Sequence, residues 1–217
     1  MSATGGFLFE SRVVGPFGCN CAILACERSR EALVIDPGDE AEDILALLEK
    51  DRLTARYLLH THAHLDHIGA TAALRAKTGA AACLHEGDLF LADHLPLQAS
   101  LFGLPAPQTP QIDRLLKDGE SYSSGSVSLQ VIHTPGHTPG SVTFFWADSG
   151  LLLTGDTLFA GSVGRTDLWG GSTETLLRSI HDRLMGFPDS TRIFPGHGPG
   201  STIGQERRAN PFLKDRR

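Results

Sequence analysis

Apolar residues in this chain fall in short runs closed by Gly, Pro, Asn or Asp rather than in long periodic blocks. "CAILAC", "EALVIDPG", "YLLHTH", "AACLHEG", "LQVIHTPG", "VTFFWADSG", "LLLTGD" and "TRIFPGHG" each read as a strand ended by a turn. Several scarcely alternate, which predicts strands buried on both faces. Between them lie helical patterns. "DEAEDILALLEKD" carries Asp39 and Glu42 at capping-box spacing and a stripe of Ile44, Leu45, Leu47 and Leu48. "IGATAALRAKTG" stops at Gly79, and "STETLLRSIHDRLMG" starts at Ser172 or Thr173 and stops at Gly186. The mixture predicts an α/β fold. "PLQASLFGLPAPQTP", residues 96–110, has four prolines and the apolar Leu97, Leu101, Phe102 and Leu104, so it is expected as a long connection lying near a functional site.

Composition adds limits. At 217 residues, 41% hydrophobic and 20% charged, the chain is expected to form a single domain over 1–217, with a short C-terminal tail from about 199. A net charge of −6, with Lys and Arg scattered except in the ending "ERRANPFLKDRR", argues against nucleic acid as a partner, and that ending is expected as solvated tail. The start, "MSATGGFLFESRVVGPFG", lacks a basic n-region followed by an apolar core, and no stretch has the length of a membrane span, so no membrane partner and a cytoplasmic location are expected. Cys19, Cys21, Cys26 and Cys83 are too few for a disulfide scaffold, and C-x-C alone is not zinc-finger spacing. Cys19 and Cys21 are expected on one face of a strand, acting as small hydrophobes.

The candidate chemistry sits in "LLHTHAHLDHIGA", residues 58–70. His62 and His64 point to one side of an extended segment, and a helix starting at Leu65 would let Asp66 and His67 project back from its first turn. Three more runs end in a possible ligand: His137 in "PGHTPG", Asp156 in "LLLTGDTLF" and His197 in "FPGHG". Pro and Gly stiffen each of these turns, so the polar side chain is aimed. Seven N and O ligands exceed what one tetrahedral zinc takes, whereas two metals sharing a carboxylate would use them all. His60, His85, His94, His133 and His181, lacking this spacing, are expected as hydrogen-bonded core or rim residues.

With "HAHLDH", "PGHTPG", "TGDTLF" and "FPGHG" in place, the sequence resembles the metallo-β-lactamase superfamily over nearly its whole length. The resemblance implies a four-layer α/β/β/α sandwich with two divalent metal ions, zinc first and iron or manganese as the other candidates, at one edge of the sheets. His62, His64 and His137 would hold one ion, Asp66, His67 and His197 the other, and Asp156 would bridge them. "FAGSVGRTDLWGGS" and the ending after His197 look most like short bacterial glyoxalase II-like hydrolases, which implies hydrolysis of S-lactoylglutathione or a related hydroxyacylglutathione by a metal-bridging hydroxide. Bound water acidified to a pKa near 7 is the nucleophile such a site supplies, with Asp66 as ligand, positioner and proton acceptor.

The chain departs from the long glyoxalase II pattern in two places. Only about twenty residues follow His197, so the C-terminal helical domain that supplies basic residues for glutathione is not expected here. "GRTD" puts Arg165 and Asp167 where long enzymes have a Lys and an aromatic hydroxyl. Arg165 could clamp a substrate carboxylate or pair with Asp167. "GRTD" also resembles persulfide dioxygenases of the superfamily, in which one iron would be held by His62, His137 and Asp156 and glutathione persulfide oxidised. Asp156 stands where many zinc β-lactamases have Cys, and the acidic charge leaves little for a nuclease.

Overall fold

The computed structural model describes residues 6–214, so Met1–Gly5 and residues 215–217, part of the start and of the expected tail, lie outside it. Fourteen strands are found among the described residues: β1 (Phe7–Val14), β2 (Cys19–Cys26), β3 (Glu31–Ile35), β4 (Thr54–Leu59), β5 (Ala81–His85), β6 (Arg114–Leu116), β7 (Ser121–Ser124), β8 (Val127–His133), β9 (Val142–Trp146), β10 (Leu151–Gly155), β11 (Leu158–Phe159), β12 (Ser162–Val163), β13 (Arg192–Pro195) and β14 (Ser201–Thr202). Seven α-helices join them: α1 (Ala41–Lys50), α2 (Leu65–Ile68), α3 (Thr71–Thr78), α4 (Leu89–Asp93), α5 (Leu95–Leu101), α6 (Thr173–Ser179) and α7 (Ile203–Ala209). All eight apolar runs are strands, as their turn-bounded pattern predicts.

The strands make two six-stranded sheets, ordered β1-β2-β3-β4-β5-β6 and β14-β13-β10-β9-β8-β7, with β11 and β12 as a small hairpin. Between the sheets lie Leu24, Leu33, Ile35 and Leu59 from one and Leu129, Val131, Phe144 and Trp146 from the other. On the outer face of the first sheet, Ile23, Val34 and Leu58 pack with Ile44 and Leu48 of α1 and Leu74 of α3. On the outer face of the second, Leu152 and Ile193 pack with Leu176 of α6, with Ile180 and Leu184 beyond it and with Ile203 of α7. Successive residues of β2, β3 and β10 thus enter different cores. This is why their sequence does not alternate, and it builds the four-layer α/β/β/α sandwich. Cys19 and Cys21 share the α1/α3 face as expected, and all four thiols are buried and free.

Three expectations are corrected. The capping box at Asp39 and Glu42 does not form: Asp39 Oδ1 accepts from the N–H of the next residue, Glu40, at 2.7 Å, and Glu40 precedes α1 in a left-handed conformation with no side-chain cap. The segment 96–110 is not all loop, because 95–101 is α5. Pro96 falls in its first turn, where a missing N–H costs nothing, so this proline opens a helix instead of marking a connection. The segment after 199 is not a tail through 209. Thr202 caps α7 by accepting from Gln205 N–H at 3.2 Å, Ile203 enters the core, and the buried Glu206 accepts from Gly161 N–H and Asn210 Nδ2, each at 2.8 Å. Arg207 and Arg208 remain exposed and pair with Asp189. Among the described residues no helix is long and apolar enough to cross a membrane.

Candidate metal centre

Every motif residue leaves the C-terminal end of a strand or the start of a helix at one end of the sandwich. β8, β10 and β13 run the same way in their sheet and deliver His137, Asp156 and His197, while β4 delivers His62 and His64. His64 is extended at φ −72° and ψ 151°, and α2 begins at Leu65, so Asp66 and His67 turn back toward the two preceding histidines. The backbone of this turn touches the loop after β3, where an added Cβ on Gly38 would lie 1.5 Å from the Asp66 carbonyl oxygen. A glycine there lets the two loops meet.

Three overlapping triads could each hold a metal ion: His62, His64 and His137; His62, His67 and Asp156; and Asp66, His67 and His197. His137 Nε2 lies 3.2 Å from His62 Nε2 and 2.9 Å from His64 Nδ1. His67 Nε2 and His197 Nε2 are 3.2 Å apart, and Asp66 Oδ2 is 3.1 Å from His197 Nε2. Asp156 stands between the two ends, with Oδ2 3.6 Å from His137 Nε2 and Oδ1 3.4 Å from His67 Nε2. All seven predicted ligand residues are therefore brought together. Arg165 reaches the same cleft, but its Nε and Nη2 donate to both oxygens of Asp167 at 2.7 and 2.8 Å.

Hydrogen bonding behind the rings decides what the front can do. His137 Nδ1 donates to the Arg165 carbonyl at 2.7 Å, and His197 Nδ1 to the Phe17 and Gly18 carbonyls at 3.1 and 3.2 Å. His67 Nδ1 donates to Asp36 Oδ2 at 3.1 Å. Thr61 Oγ1 gives its proton to Asp36 Oδ2 and so accepts from His62 Nδ1 at 3.1 Å. Carbonyl and carboxylate oxygens only accept, so in neutral form all four rings carry the proton on Nδ1 and present an Nε2 lone pair. Two such lone pairs at 3.2 Å repel, and a cation between them turns the repulsion into ligation. Asp156 Oδ1 is moreover buried with no hydrogen-bond partner. The donor set thus fits divalent metal on its own chemistry.

Electrostatics divide the site. Burial pushes the His62 imidazole well down, and burial with His137 holds His64 at about 3, so this end keeps its lone pairs free. Burial works against charge at the other end also, yet His67 is pushed up by Cys19, Asp156, Asp66 and Asp36, and His197 by Asp66 and Asp156. Asp66, which burial alone would raise, is held below the ordinary carboxylate range by His67 and His197. That end attracts positive charge.

Three positioning residues have no counterpart in the sequence reading. Asp36 accepts from Thr61 N–H and Oγ1, each at 2.7 Å, as well as from His67, and adopts a φ of 51° that a non-glycine residue rarely takes. Its "DPG" context matches the other stiff strand ends, which is the signal that could have found it. Asp88 accepts from Ala63 N–H, Thr138 Oγ1 and Gly140 N–H at 3.0, 2.8 and 2.6 Å, tying the His62–His64 segment to the His137 loop. Asn20 Nδ2 donates to the Pro195 and Gly198 carbonyls at 2.9 and 3.0 Å, holding the His197 loop against β2. The histidines expected as structural are so where partners are seen: the buried His60 donates from Nδ1 to the Cys83 carbonyl and accepts at Nε2 from Thr71, and His94 and His133 donate to the Phe90 and Pro139 carbonyls.

A cleft of about 310 Å³ opens above these groups, lined by His64, Asp66, His137, Asp156 and His197 at its floor and by Leu101, Phe102, Arg165 and Trp169 toward its mouth. α5 supplies part of the wall, so the 96–110 segment does border the site.

The Metallo-beta-lactamase superfamily pattern matches residues 14–197. Hydroxyacylglutathione hydrolase GloC of Haemophilus influenzae is 40% identical, over 94% of this chain and 96% of its own. The mitochondrial persulfide dioxygenase ETHE1 of Bos taurus is 34% identical, over 98% of this chain and 78% of its own. Among solved structures, BLEG-1 B3 metallo-beta-lactamase superposes with a TM-score of 0.88 at 38% identity, covering 96% of this chain and 100% of that one. TTHA1623 in a di-iron-bound form gives 0.86 at 40% identity, covering 94% and 100%.

Proposed function

Since the chain belongs to the metallo-beta-lactamase superfamily, we propose that it is a metal-dependent thioester hydrolase acting on S-lactoylglutathione or a related hydroxyacylglutathione. The observation that carries this reading is the pair of complete triads, His62/His64/His137 and Asp66/His67/His197, facing the two oxygens of one carboxylate, Asp156. The similarity to GloC supplies the substrate class. Divalent ions held there would supply an acidified water and a Lewis acid for the carbonyl oxygen. The chain's own residues do the rest. Asp36, Thr61, Arg165 and the Phe17–Gly18 carbonyls fix the histidine tautomers. Asp66, at the cleft floor and 20% exposed, is placed to orient the attacking water, whose proton the bound ions would make acidic enough to leave to solvent near neutral pH. The C–O bond forms as the C–S bond breaks, and the thiol, with a pKa of about 8.5, leaves as thiolate without a general acid. The products are a carboxylate and glutathione.

Arg165 is proposed to bind a glutathione carboxylate by exchanging Asp167 for it, a modest cost because that ion pair is exposed. Arg165→Ala is expected to raise KM about three- to tenfold for glutathione thioesters and to leave thioesters without the tripeptide nearly unchanged, at the energy of one charge-assisted contact. An equal rise for both substrates would assign the Arg165 side chain a structural role, holding its loop through the pair with Asp167.

A second reading, a mononuclear-iron persulfide dioxygenase, draws on the similarity to ETHE1 and on His62, His137 and Asp156 as a two-His, one-carboxylate set. Metal content of the purified protein, measured with S-lactoylglutathione cleavage and with oxygen uptake on glutathione persulfide, separates the two. Near two ions per chain with thioester cleavage and no oxygen uptake supports the hydrolase. One iron per chain with persulfide-dependent oxygen consumption overturns it.

A further inference from the structure

We infer that the cleft selects the acyl side of its thioester by apolar contact, so that a glutathione thioester with an acyl chain larger and more apolar than lactoyl is preferred. This rests on the hydrolase reading and specifies its substrate. Four large apolar side chains stand exposed around one mouth: Phe17 at 41%, Leu101 at 66%, Phe102 at 50% and Trp169 at 43%. They come from three separate segments, the β1–β2 turn, the end of α5 and the loop before α6. Phe17 and Phe102 meet edge to face at 5.0 Å. Single exposed apolar residues are ordinary, but four converging on a cleft whose floor is the candidate metal centre form a binding wall.

The polar side chains of the lining point the same way. Outside the metal-facing histidines and aspartates they are Gln98 and Arg165. Gln98 Oε1 accepts from Leu65 N–H at 3.0 Å, and its Nε2 donates to the Ala63 and Leu91 carbonyls at 3.1 and 2.9 Å. Arg165 holds Asp167. A pocket that reads a substrate hydroxyl keeps a polar partner for it, and the loss of that hydroxyl is then severely penalised. Here Gln98 is already engaged and Arg165 goes to Asp167 or to the glutathione carboxylate that replaces it, so, apart from the Trp169 indole N–H, what remains for the acyl group is apolar surface.

The test uses S-methyl-, S-butyl- and S-hexylglutathione, which cannot be hydrolysed, with binding to the metal-loaded protein followed by tryptophan fluorescence. Trp169 is at the mouth, whereas Trp146 is 2% exposed. A half-buried chain should tighten Kd about twofold per methylene, or about thirtyfold from methyl to hexyl. The same chain-length order is expected in kcat/KM for S-propanoyl- and S-hexanoylglutathione, with S-propanoyl within a few-fold of S-lactoylglutathione. Leu101→Ser with Phe102→Ser, both at exposed positions, should flatten the Kd series while thermal unfolding is unchanged. A flat series in the parent protein, or an unchanged slope in the double variant, overturns the inference. If the slope holds but no thioester is turned over, the hydrolase reading fails and the apolar subsite stands.

Discussion

Replacing His64 or Asp66 by alanine is expected to abolish thioester hydrolysis, a loss of about 10³-fold or more in kcat/KM, while the protein still unfolds cooperatively. The rate effect is large because each residue belongs to a different ligand triad, and charge stabilisation by a metal ion contributes several kcal/mol to the transition state. His64 Nδ1 lies 2.9 Å from His137 Nε2, and Asp66 Oδ2 lies 3.1 Å from His197 Nε2, so neither variant leaves its triad complete. The fold should tolerate both changes. The apolar anchors of this turn are Ala63, Leu65 and Ile68, packed with Leu84, Leu91 and Leu95, and both variants keep them. The measurements are kcat/KM, ions per chain and a thermal melt on each variant. Full activity in either variant would sink the two-ion assignment. Retained persulfide-dependent oxygen uptake in Asp66→Ala would favour the mononuclear reading, whose His62, His137 and Asp156 it leaves intact.

Asp88→Ala is expected to cost about 3–5 kcal/mol of stability, because a fully buried carboxylate satisfies three donors and two of them are backbone N–H groups with nowhere to turn. Thr138 can fall back on Ser141 Oγ at 2.7 Å, but the Ala63 and Gly140 N–H groups would stay buried and unpaired. Burial pushes the Asp88 carboxyl upward, and the bonds from Thr138, Gly140 and Ala63 pull it back. For a chain of 217 residues the loss corresponds to a fall of roughly 10 °C in Tm. Asp88→Asn keeps the shape and one acceptor and should lose about half as much. Since Asp88 joins the segment carrying His62 and His64 to the loop carrying His137, metal affinity should also fall, by about 10- to 100-fold. A melt within 2 °C of the parent for Asp88→Ala, near the size of a surface change, would show that water replaces the carboxylate.

Whatever rests on neighbours along the chain is legible in the amino-acid order. Turn-bounded apolar runs became β2, β3, β4, β5, β8, β9, β10 and β13, and Gly79 ends α3 with a φ of 71°. H-x-H-x-D-H converges because two-residue strand periodicity gives way to a helix at Leu65, a local event. Edge strands β1, β6 and β7 carry no clear signal: β1 exposes Phe7, Phe9 and Val13 along with polar residues, β6 is three residues long, and β7 is mostly serine. Pro96 and the residues after 199 differ from expectation for a related reason: proline and charge mark loops on average, but α5 is held by packing against Ala63 and Leu84 and α7 by packing against Leu152 and Leu158, contacts made in space.

Which imidazole nitrogen faces inward is set by the folded chain, because for three of the four rings it depends on acceptors 28 to 180 residues away: the Arg165 carbonyl for His137, Asp36 for His67 and the Phe17 carbonyl for His197. The folded chain also decides that Asp36, Asp88 and Asn20 hold the loops, and that Phe17, Phe102 and Trp169 share one mouth. Ligand identity is written in short spacing, whereas ligand orientation and substrate selection belong to contacts made when the two sheets close on each other. Those contacts join segments far apart in the chain, and no local pattern records them.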